Sequence, residues 1–411
     1  MMDLVRTRVA GTAVAWTLAA AVAGGAEPTG PNPFDFPTVI DNGHARIEHV
    51  SGGSVVGGYG GAFSVLGPAL QGGFPCQSQV AAVDDDGNVY IQDLNNNRIL
   101  AIIDGRNFFL AGTGLRGFRD DCPAGQARFD IAPYTLHAAC AIGSPAKGKG
   151  AVFVVDNDRV RRIAKKDGKW WVDTVAGGGN QKLAVGQKAN GRKVAISGYW
   201  NSVCEDHSRP GTLLLQDWGD KNKVRGLLRI SPDGVVEKVA APAEFEGQGI
   251  QTDSQGRIYG WRRESNFTRF DPKTGSFETL AVDNPKNAKE LLAAQKAKYR
   301  RVSPTQWDGP ADKVDWYCPA TWIVSRDGTE LYASGGDDWT FHRVKDGFVK
   351  TMALDGKYHI RQAIPEKTLV GHGSPLAAED GRGSLWKAGP VNGMSCIVRY
   401  TPGKDTEVTG E

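Results

Sequence analysis

One strand pattern recurs along the chain and limits the folds that it can adopt. Its clearest copy is "QVAAVDDDGNVYIQDLNNNRILAI" (79–102), in which two alternating strands flank a turn with Asp and Gly and a third strand follows. Related copies occupy 150–163, 201–230, 249–270, 320–344 and 374–400, and a turn and a short fourth strand such as "KWWVDTVAG" follow the copies. Repeats of this length with four antiparallel strands are typical of propeller blades. The sequence therefore predicts an all-β protein, a six-bladed β-propeller of four-stranded antiparallel blades.

The two ends of the chain predict how the ring closes. The segment "ARIEHVSGG" (45–53) looks like a fourth strand without three strands before it, so we expect it to complete the sixth blade. The alternative closing segment is "DTEVTGE" at the C-terminus. The propeller then covers 44–411 after a linker at 27–43. Residues 284–315 interrupt the pattern, and their Ala-, Leu- and Lys-rich part predicts a short helical insertion near 286–300.

A glycine motif, Gly112-Thr-Gly114-Leu-Arg-Gly117, has the spacing of a dinucleotide-binding loop. That fold needs a long amphipathic helix after the motif, but "FRDDCPAGQ" contains Pro123 and has no apolar period of 3.6 residues. Similar glycine-rich segments follow the fourth strands of other copies. We therefore interpret the glycines as supplying positive φ angles where the chain crosses from the rim of one blade to the centre of the next.

These segments resemble the NHL-repeat family. "LAGTGLRGFRDDCPAGQARF" (110–129) and "VDDDGNVYIQDLNNNRI" (83–99) match its signature, including Asp93, Asn97 and Arg98. The match is specific over roughly 46–180, and later copies carry Arg262 and Gly335 where the closing Asp is expected. The resemblance implies a six-bladed β-propeller with a surface for proteins, peptides or small molecules, and by itself it implies no chemistry.

The first residues predict export. Arg6 and Arg8 precede an apolar run that is short for a membrane span, and small residues lead to Pro28, so 1–26 is interpreted as a signal peptide. We expect a secreted or periplasmic monomer with no transmembrane segment in the mature chain. The net charge of +3 gives no electrostatic footprint for nucleic acid.

Six cysteines lie in the mature part, and an even number in an oxidising compartment suggests disulfides. Cys76 and Cys122 both lie in connections that lead to an innermost strand, in consecutive blades. They are the first candidates for a disulfide bond.

The segments that enter the innermost strands converge on one mouth of the central channel, where we expect a binding site. They combine aromatic rings, amides and histidines, which suit a sugar or another neutral polar ligand. The predicted binding residues are Tyr134, His137, Trp200, Asn201, Gln248, Trp316, Tyr317 and His372. These rings either pack one blade against the next or form a binding site. We favour a binding site for a carbohydrate, peptide or protein ligand.

An enzyme is the alternative function. Six-bladed lactonases and lyases of similar architecture need carboxylates for Ca²⁺ or three histidines for Zn²⁺. Only His137, His372 and Glu246, with Asn201 as a neutral ligand, are candidates here. We therefore favour a binding module, name no cofactor, and assign no catalytic residue.

Overall fold

The computed structural model describes most of the predicted blades. Its described residues are 39–41, 45–51, 67–68, 78–94, 96–131, 138–197, 201–219, 223–239, 249–262, 266–282, 301–303, 306–307, 309–311, 321–334, 341–352, 376–379, 383–391 and 394–402. The predicted signal peptide and the predicted helix at 286–300 lie outside them. No helix in the described part of the chain is long and apolar enough to cross a membrane.

The N-terminal part of the chain contributes two strands to the last sheet and then forms three sheets in sequence. The two strands are β1 (Val39–Asp41) and β2 (Ala45–Ser51). The first sheet contains β3 (Gly67–Pro68), β4 (Ser78–Val83), β5 (Val89–Asp93), β6 (Arg98–Ile103) and β7 (Arg106–Ala111). The second contains β8 (Cys122–Pro123), β9 (Ala139–Ser144), β10 (Lys149–Asp156), β11 (Arg159–Lys166) and β12 (Lys169–Gly177). The third contains β13 (Lys188–Asn190), β14 (Ser202–Glu205), β15 (Leu213–Gly219), β16 (Lys223–Ile230) and β17 (Val235–Val239).

The C-terminal part continues the same order. The fourth sheet contains β18 (Ile250–Thr252), β19 (Ile258–Arg262), β20 (Asn266–Asp271) and β21 (Ser276–Val282), and a two-stranded ladder follows, β22 (Arg301–Ser303) with β23 (Gln306–Trp307). The fifth sheet contains β24 (Gly309–Pro310), β25 (Thr321–Val324), β26 (Glu330–Ser334), β27 (Phe341–Lys345) and β28 (Phe348–Met352). The closing sheet contains β29 (Leu376–Glu379), β30 (Leu385–Val391) and β31 (Met394–Pro402) with β2 and β1. Short 3₁₀ turns cover Ala124–Gln126, Pro145–Lys147 and Gly191–Lys193.

Asp-Gly turns shape the outer hairpins of three sheets. Asp104-Gly105, Asp167-Gly168 and Asp346-Gly347 all have positive φ at both residues. Such turns match the right-handed twist of the strands that they join. They therefore set the register of the hairpins β6–β7, β11–β12 and β27–β28.

The sheets are arranged as a β-propeller. The innermost strands β4, β9, β14, β18, β25 and β29 each contact the next one, and β29 contacts β4. Apolar side chains fill the spaces between neighbouring sheets; between the fourth and fifth sheets, for example, Phe267 packs edge-on against Trp322 at 4.7 Å between ring centroids. The central channel is therefore enclosed by backbone and the hydrophobic core lies between the blades.

The N-terminal strand closes the ring, as predicted. β2 pairs antiparallel with β31, from Ala45 opposite Pro402 to Ser51 opposite Ile397. β1 folds back on β2 and adds a further strand at the rim of the closing sheet. The N-terminal segment, rather than "DTEVTGE", therefore supplies the strand beside β31.

The predicted strand number is wrong. We expected six four-stranded blades, but the described residues form five five-stranded sheets, and only the fourth sheet has four strands there. The extra strand comes from the segment that precedes the innermost strand, except in the closing sheet, where it is β1. After β7, for example, the chain first pairs Cys122 and Pro123 with the outermost strand of the second sheet and only then runs inward to β9. The connections thus bind the rim of the next blade before they reach its centre.

The interpretation of the glycine motif is confirmed, whereas the helix predicted near 286–300 lies outside the described residues. Gly112, Gly114 and Gly117 all have positive φ, and a Cβ on Gly112 would lie 2.8 Å from the carbonyl oxygen of Asn97. The described part of 284–315 follows that stretch and contains the extended segments β22, β23 and β24. These short strands form because they pair with each other and with β28.

Candidate functional site

The channel has two different ends. At the connector end, the connections from the previous blade enter the innermost strands. At the turn end, each innermost strand turns into the second strand of its blade. The sequence analysis placed the binding site at the connector end.

Most of the predicted site residues lie outside the described residues. These are Tyr134, His137, Trp200, Gln248, Trp316, Tyr317, His372, and the metal candidate Glu246. The exception is Asn201, which directly precedes β14. Among the described residues, no group of three or more His, Cys, Asp or Glu side chains is arranged to hold a metal ion.

Asn201 is buried and bonded within the protein. It is 1% exposed, its Nδ2 donates to the carbonyl oxygen of Ser197, and its Oδ1 accepts from the Ser197 hydroxyl at 3.3 Å. Ser197 in turn donates from its backbone N–H and its hydroxyl to Oδ1 of Asp217, at 2.9 and 2.7 Å. Asn201 and Asp217 therefore hold together the two ends of the segment 198–200, which carries Trp200. The structure assigns Asn201 a positioning role.

The closing Asp of the repeat has the same role in the second sheet. Oδ1 of Asp156 accepts the backbone N–H of Asp130 at 2.6 Å, just as Asp217 accepts that of Ser197. Asp156 is the last residue of β10 and Asp217 lies two residues before the end of β15, and in both blades the donor lies in the connection to the innermost strand. The closing Asp of the repeat thus anchors the connection at the connector end. Its carboxylate already accepts a hydrogen bond from the protein.

A buried ion pair strengthens this anchor. The Arg161 side chain is completely buried, donates to Oδ2 of Asp156 at 2.6 Å, and donates to the carbonyl oxygens of Arg119 and Arg128. Burial raises the pKa of Asp156 to about 6, and the positive charge of Arg161 opposes that rise. The pair thereby ties the glycine-rich connection to the strands of its own blade.

Buried amides lie beside the closing Asp residues. Gln216 precedes Asp217, is fully buried, and accepts a hydrogen bond from the Ser202 hydroxyl at 3.0 Å. Gln92 precedes Asp93 in the same way and is 2% exposed, and its Nε2 has no hydrogen-bond partner among the described residues. A buried donor without a partner costs about 1–3 kcal/mol. Gln92 is thus a donor that a polar ligand or a neighbouring group could satisfy.

Charged side chains meet at the turn end. Arg326, in the turn of the fifth sheet, forms an ion pair with Asp85 of the first sheet at 3.0 Å, although β29 of the closing sheet lies between β25 and β4 in the ring. Its carbonyl oxygen accepts the N–H of Ser254 from the fourth sheet at 2.7 Å. The Arg326 side chain therefore crosses this end of the channel.

Glu205 and His207 complete the turn-end cluster. His207 Nδ1 lies 3.4 Å from a carboxylate oxygen of Glu205. Although burial alone would raise the pKa of Glu205, the contact with His207 and the charge of Arg326 outweigh it, and that pKa is lowered. Sequence reasoning missed this cluster, although Asp85, Glu205 and Arg326 all lie at the first turn of a repeat copy. That shared position was the signal that could have identified it.

The described cysteines do not form the expected bond. Cys122 carries a free thiol, whose Sγ lies 4.0 Å from the carbonyl oxygen of Arg119, and Cys76 lies outside the described residues. Cys140 and Cys204 also carry free thiols, and burial raises the pKa of both. The predicted Cys76–Cys122 disulfide is therefore not formed in the structure. Cys122 instead packs in the core between the first and second sheets.

Comparison with known proteins identifies the fold. No protein-family model and no curated protein sequence matches this chain, so the resemblance to the NHL-repeat family has no independent support. Solved structures similar to it include a gluconolactonase from Xanthomonas campestris, with 14% identity, a TM-score of 0.44, and coverage of 92% of this chain and 98% of that chain. A virginiamycin B lyase from Staphylococcus aureus has 13% identity, a TM-score of 0.41, and coverage of 79% and 96%. An auxiliary nutrient binding protein from Bacteroides ovatus has 12% identity, a TM-score of 0.51, and coverage of 87% and 76%. The chain is thus similar in fold to that binding protein, in agreement with the β-propeller described above.

Proposed function

We propose that this protein is an exported, six-bladed β-propeller that binds a neutral polar ligand, a carbohydrate or a peptide, at the connector end of its channel. In this proposal the four-stranded fourth sheet is a full blade of the ring. The observation that carries the proposal is the difference between the two ends. Arg326 and its partners cross the turn end, whereas the connector end holds the segment of Trp200 between Ser197 and Asn201.

The chemistry of the connector end supports a neutral ligand. Among its described residues, the buried polar groups include the amides of Asn201 and Gln216 and the hydroxyls of Ser197 and Ser202, and the carboxylates of Asp156 and Asp217 already accept hydrogen bonds from the protein. Gln92 adds a buried amide donor. Amide donors that fix the orientation of a ligand, beside rings that supply contact area, are the usual composition of small-molecule sites. The similar structure described as a nutrient binding protein belongs to the same functional class.

Binding of a panel of neutral oligosaccharides and peptides to the full chain, measured by calorimetry, tests the proposal. We expect at least one panel member to bind, and Trp200→Ala to weaken it by about tenfold, which corresponds to 1.4 kcal/mol. Phe348→Ala is the matched control, because Phe348 is an exposed ring on the outermost strand of the fifth sheet. Arg326→Gln should also leave the affinity unchanged, since the ligand does not enter at the turn end.

The alternative is a metal-dependent enzyme that uses His137 and His372. Stoichiometric zinc or calcium in the purified protein, lost in the double variant His137→Ala, His372→Ala, would contradict a pure binding module. Equal binding by wild type and Trp200→Ala, or a loss caused by Arg326→Gln, would contradict the connector end as the site.

A further inference from the structure

Two neighbouring tryptophans lie on the outer hairpin of the second sheet. Trp170 and Trp171 are consecutive residues of β12, and consecutive residues of a strand point to opposite faces of its sheet. Trp170 accordingly lines a cleft between the first and second sheets, and Trp171 lines a cleft between the second and third sheets. Both rings are partly exposed. The hairpin thus presents one indole to each side of the blade.

A lysine accompanies each indole. Lys165 and Lys166 are consecutive residues of β11, the strand that pairs with β12. Lys165 Nζ lies 5.5 Å from the centre of the Trp170 ring, and Lys166 Nζ lies 5.0 Å from that of Trp171. Each face of the hairpin therefore carries a partly exposed indole with an ammonium group over its ring.

The cleft of Trp170 is rich in aromatic rings and has balanced charges. Its volume is about 480 Å³, and its lining includes Phe108 and Phe109, which are 39% and 44% exposed. Asp86 and Lys147 form an ion pair at 2.6 Å, and Asp104 balances Lys165. This cleft therefore suits the apolar face of an uncharged ring.

The cleft of Trp171 is more basic. Its volume is about 570 Å³, within the range of about 300–1,000 Å³ that is usual for ligand pockets. Arg162 and Asp173 form a bidentate pair at 2.9 and 2.6 Å, and Asp121 is held by two contacts of 2.8 Å to Arg192. Because both carboxylates are paired with arginines, Lys166 adds a positive charge next to the indole.

We propose that this hairpin is a second binding site, for an acidic polysaccharide that lies across the edge of the second sheet. One sugar ring stacks on Trp170, and a ring with a carboxylate stacks on Trp171, where Lys166 pairs with the carboxylate. Stacked sheets lie about 10 Å apart, so two clefts on opposite faces of one sheet suit an extended chain of linked rings better than a single small molecule. The site lies on the outer hairpin and does not depend on the channel.

The test uses a hexamer of galacturonic acid and the corresponding neutral hexamer of galactose, with the full chain. We expect the acidic hexamer to bind, to quench indole fluorescence, and to bind more weakly as salt rises, because exposed charges are screened. Trp171→Ala and Trp170→Ala should each weaken binding about tenfold. Lys166→Gln should weaken it and reduce the salt dependence. Phe348→Ala, which removes an exposed ring elsewhere, should leave the affinity unchanged.

Several results would overturn this proposal. They are the absence of binding of the acidic hexamer at millimolar concentration, equal binding of the neutral hexamer, and an affinity unaffected by Trp171→Ala. Lys166→Gln keeps the test decisive if a tryptophan variant fails to fold, because Lys166 is exposed and its replacement leaves the packing intact. Equal binding of hexaglutamate would show a site for acidic peptides and would also contradict the carbohydrate. If only Trp200→Ala abolished binding of the acidic hexamer, the hexamer would bind in the channel instead of on the hairpin.

Discussion

Arg161 illustrates how one buried side chain holds a connection in place. Its guanidinium pairs with Asp156 and donates to two carbonyl oxygens of the connection, with no exposed surface. Removing one partner of a buried ion pair leaves an uncompensated charge, so Arg161→Met should lower the free energy of unfolding by about 3–5 kcal/mol. Arg116→Met is the control: Arg116 pairs with Asp130 but is 75% exposed, so solvent screens the pair and its loss should lower the free energy of unfolding far less. Denaturant titration measures both, and equal losses would contradict the anchoring role.

The lowered pKa of Glu205 predicts that part of the stability of the fold is lost at acid pH. Its pKa is lowered below the ordinary 4.5, so the unfolded chain takes up this proton at higher pH than the folded one. Glu205 therefore stabilises the fold above its ordinary pKa, and that contribution is lost as pH falls through its folded pKa. Glu205→Gln should lower the melting temperature at pH 7, and the difference from wild type should shrink below pH 4. A difference that does not depend on pH would contradict this assignment.

At the level of elements, β2 is the strand that joins the chain ends. It lies between β1 and β31 and pairs with both. Ile47→Pro removes a backbone donor from this ladder, and each group left without a partner costs about 1–3 kcal/mol. Val39→Pro is the control, because Val39 is the first residue of the edge strand β1, a position where proline is tolerated. Thermal unfolding should show a clear loss for Ile47→Pro alone. Similar melting of both variants would indicate that the closing sheet contributes little to stability.

Sequence reasoning recovered the elements that show periodicity and missed those that do not. The inner strands alternate or contain short apolar runs, such as "VYI" of the fully buried β5, and the pairing of "ARIEHVS" with β31 followed from its isolated position. The added rim strands β3, β8 and β24 have two residues each, Gly67–Pro68, Cys122–Pro123 and Gly309–Pro310. Two residues show no period, and such strands form only because a neighbouring outer strand offers its edge. The proline in each of these three segments was the available signal, since proline occurs on edge strands.

The candidate site was predicted less completely than the fold. Of the amides predicted at the connector end, Asn201 is described and is buried, and the structure adds the buried Gln216, which was not predicted from the sequence. The direction of the Asn201 amide, towards Ser197, depends on a contact that a repeat pattern does not specify. The turn-end cluster and the two rim clefts depend on how neighbouring blades pack, so the sequence of one copy could not reveal them.

For the molecule as a whole, the ring closes by pairing two strands that lie far apart in the sequence, β2 and β31. Ala45 pairs with Pro402, so the N-terminal strand is synthesised first and can be paired only after nearly all of the chain is present. Until then β2 lacks its partner β31 and has an open edge, and unpaired strand edges make folding intermediates prone to aggregate. Contacts of such large sequence separation also slow folding, because loop-closure entropy is lost before they form. Assembly of the last blade therefore has to wait for β31. During that time the open strand edge can pair with other copies of the protein.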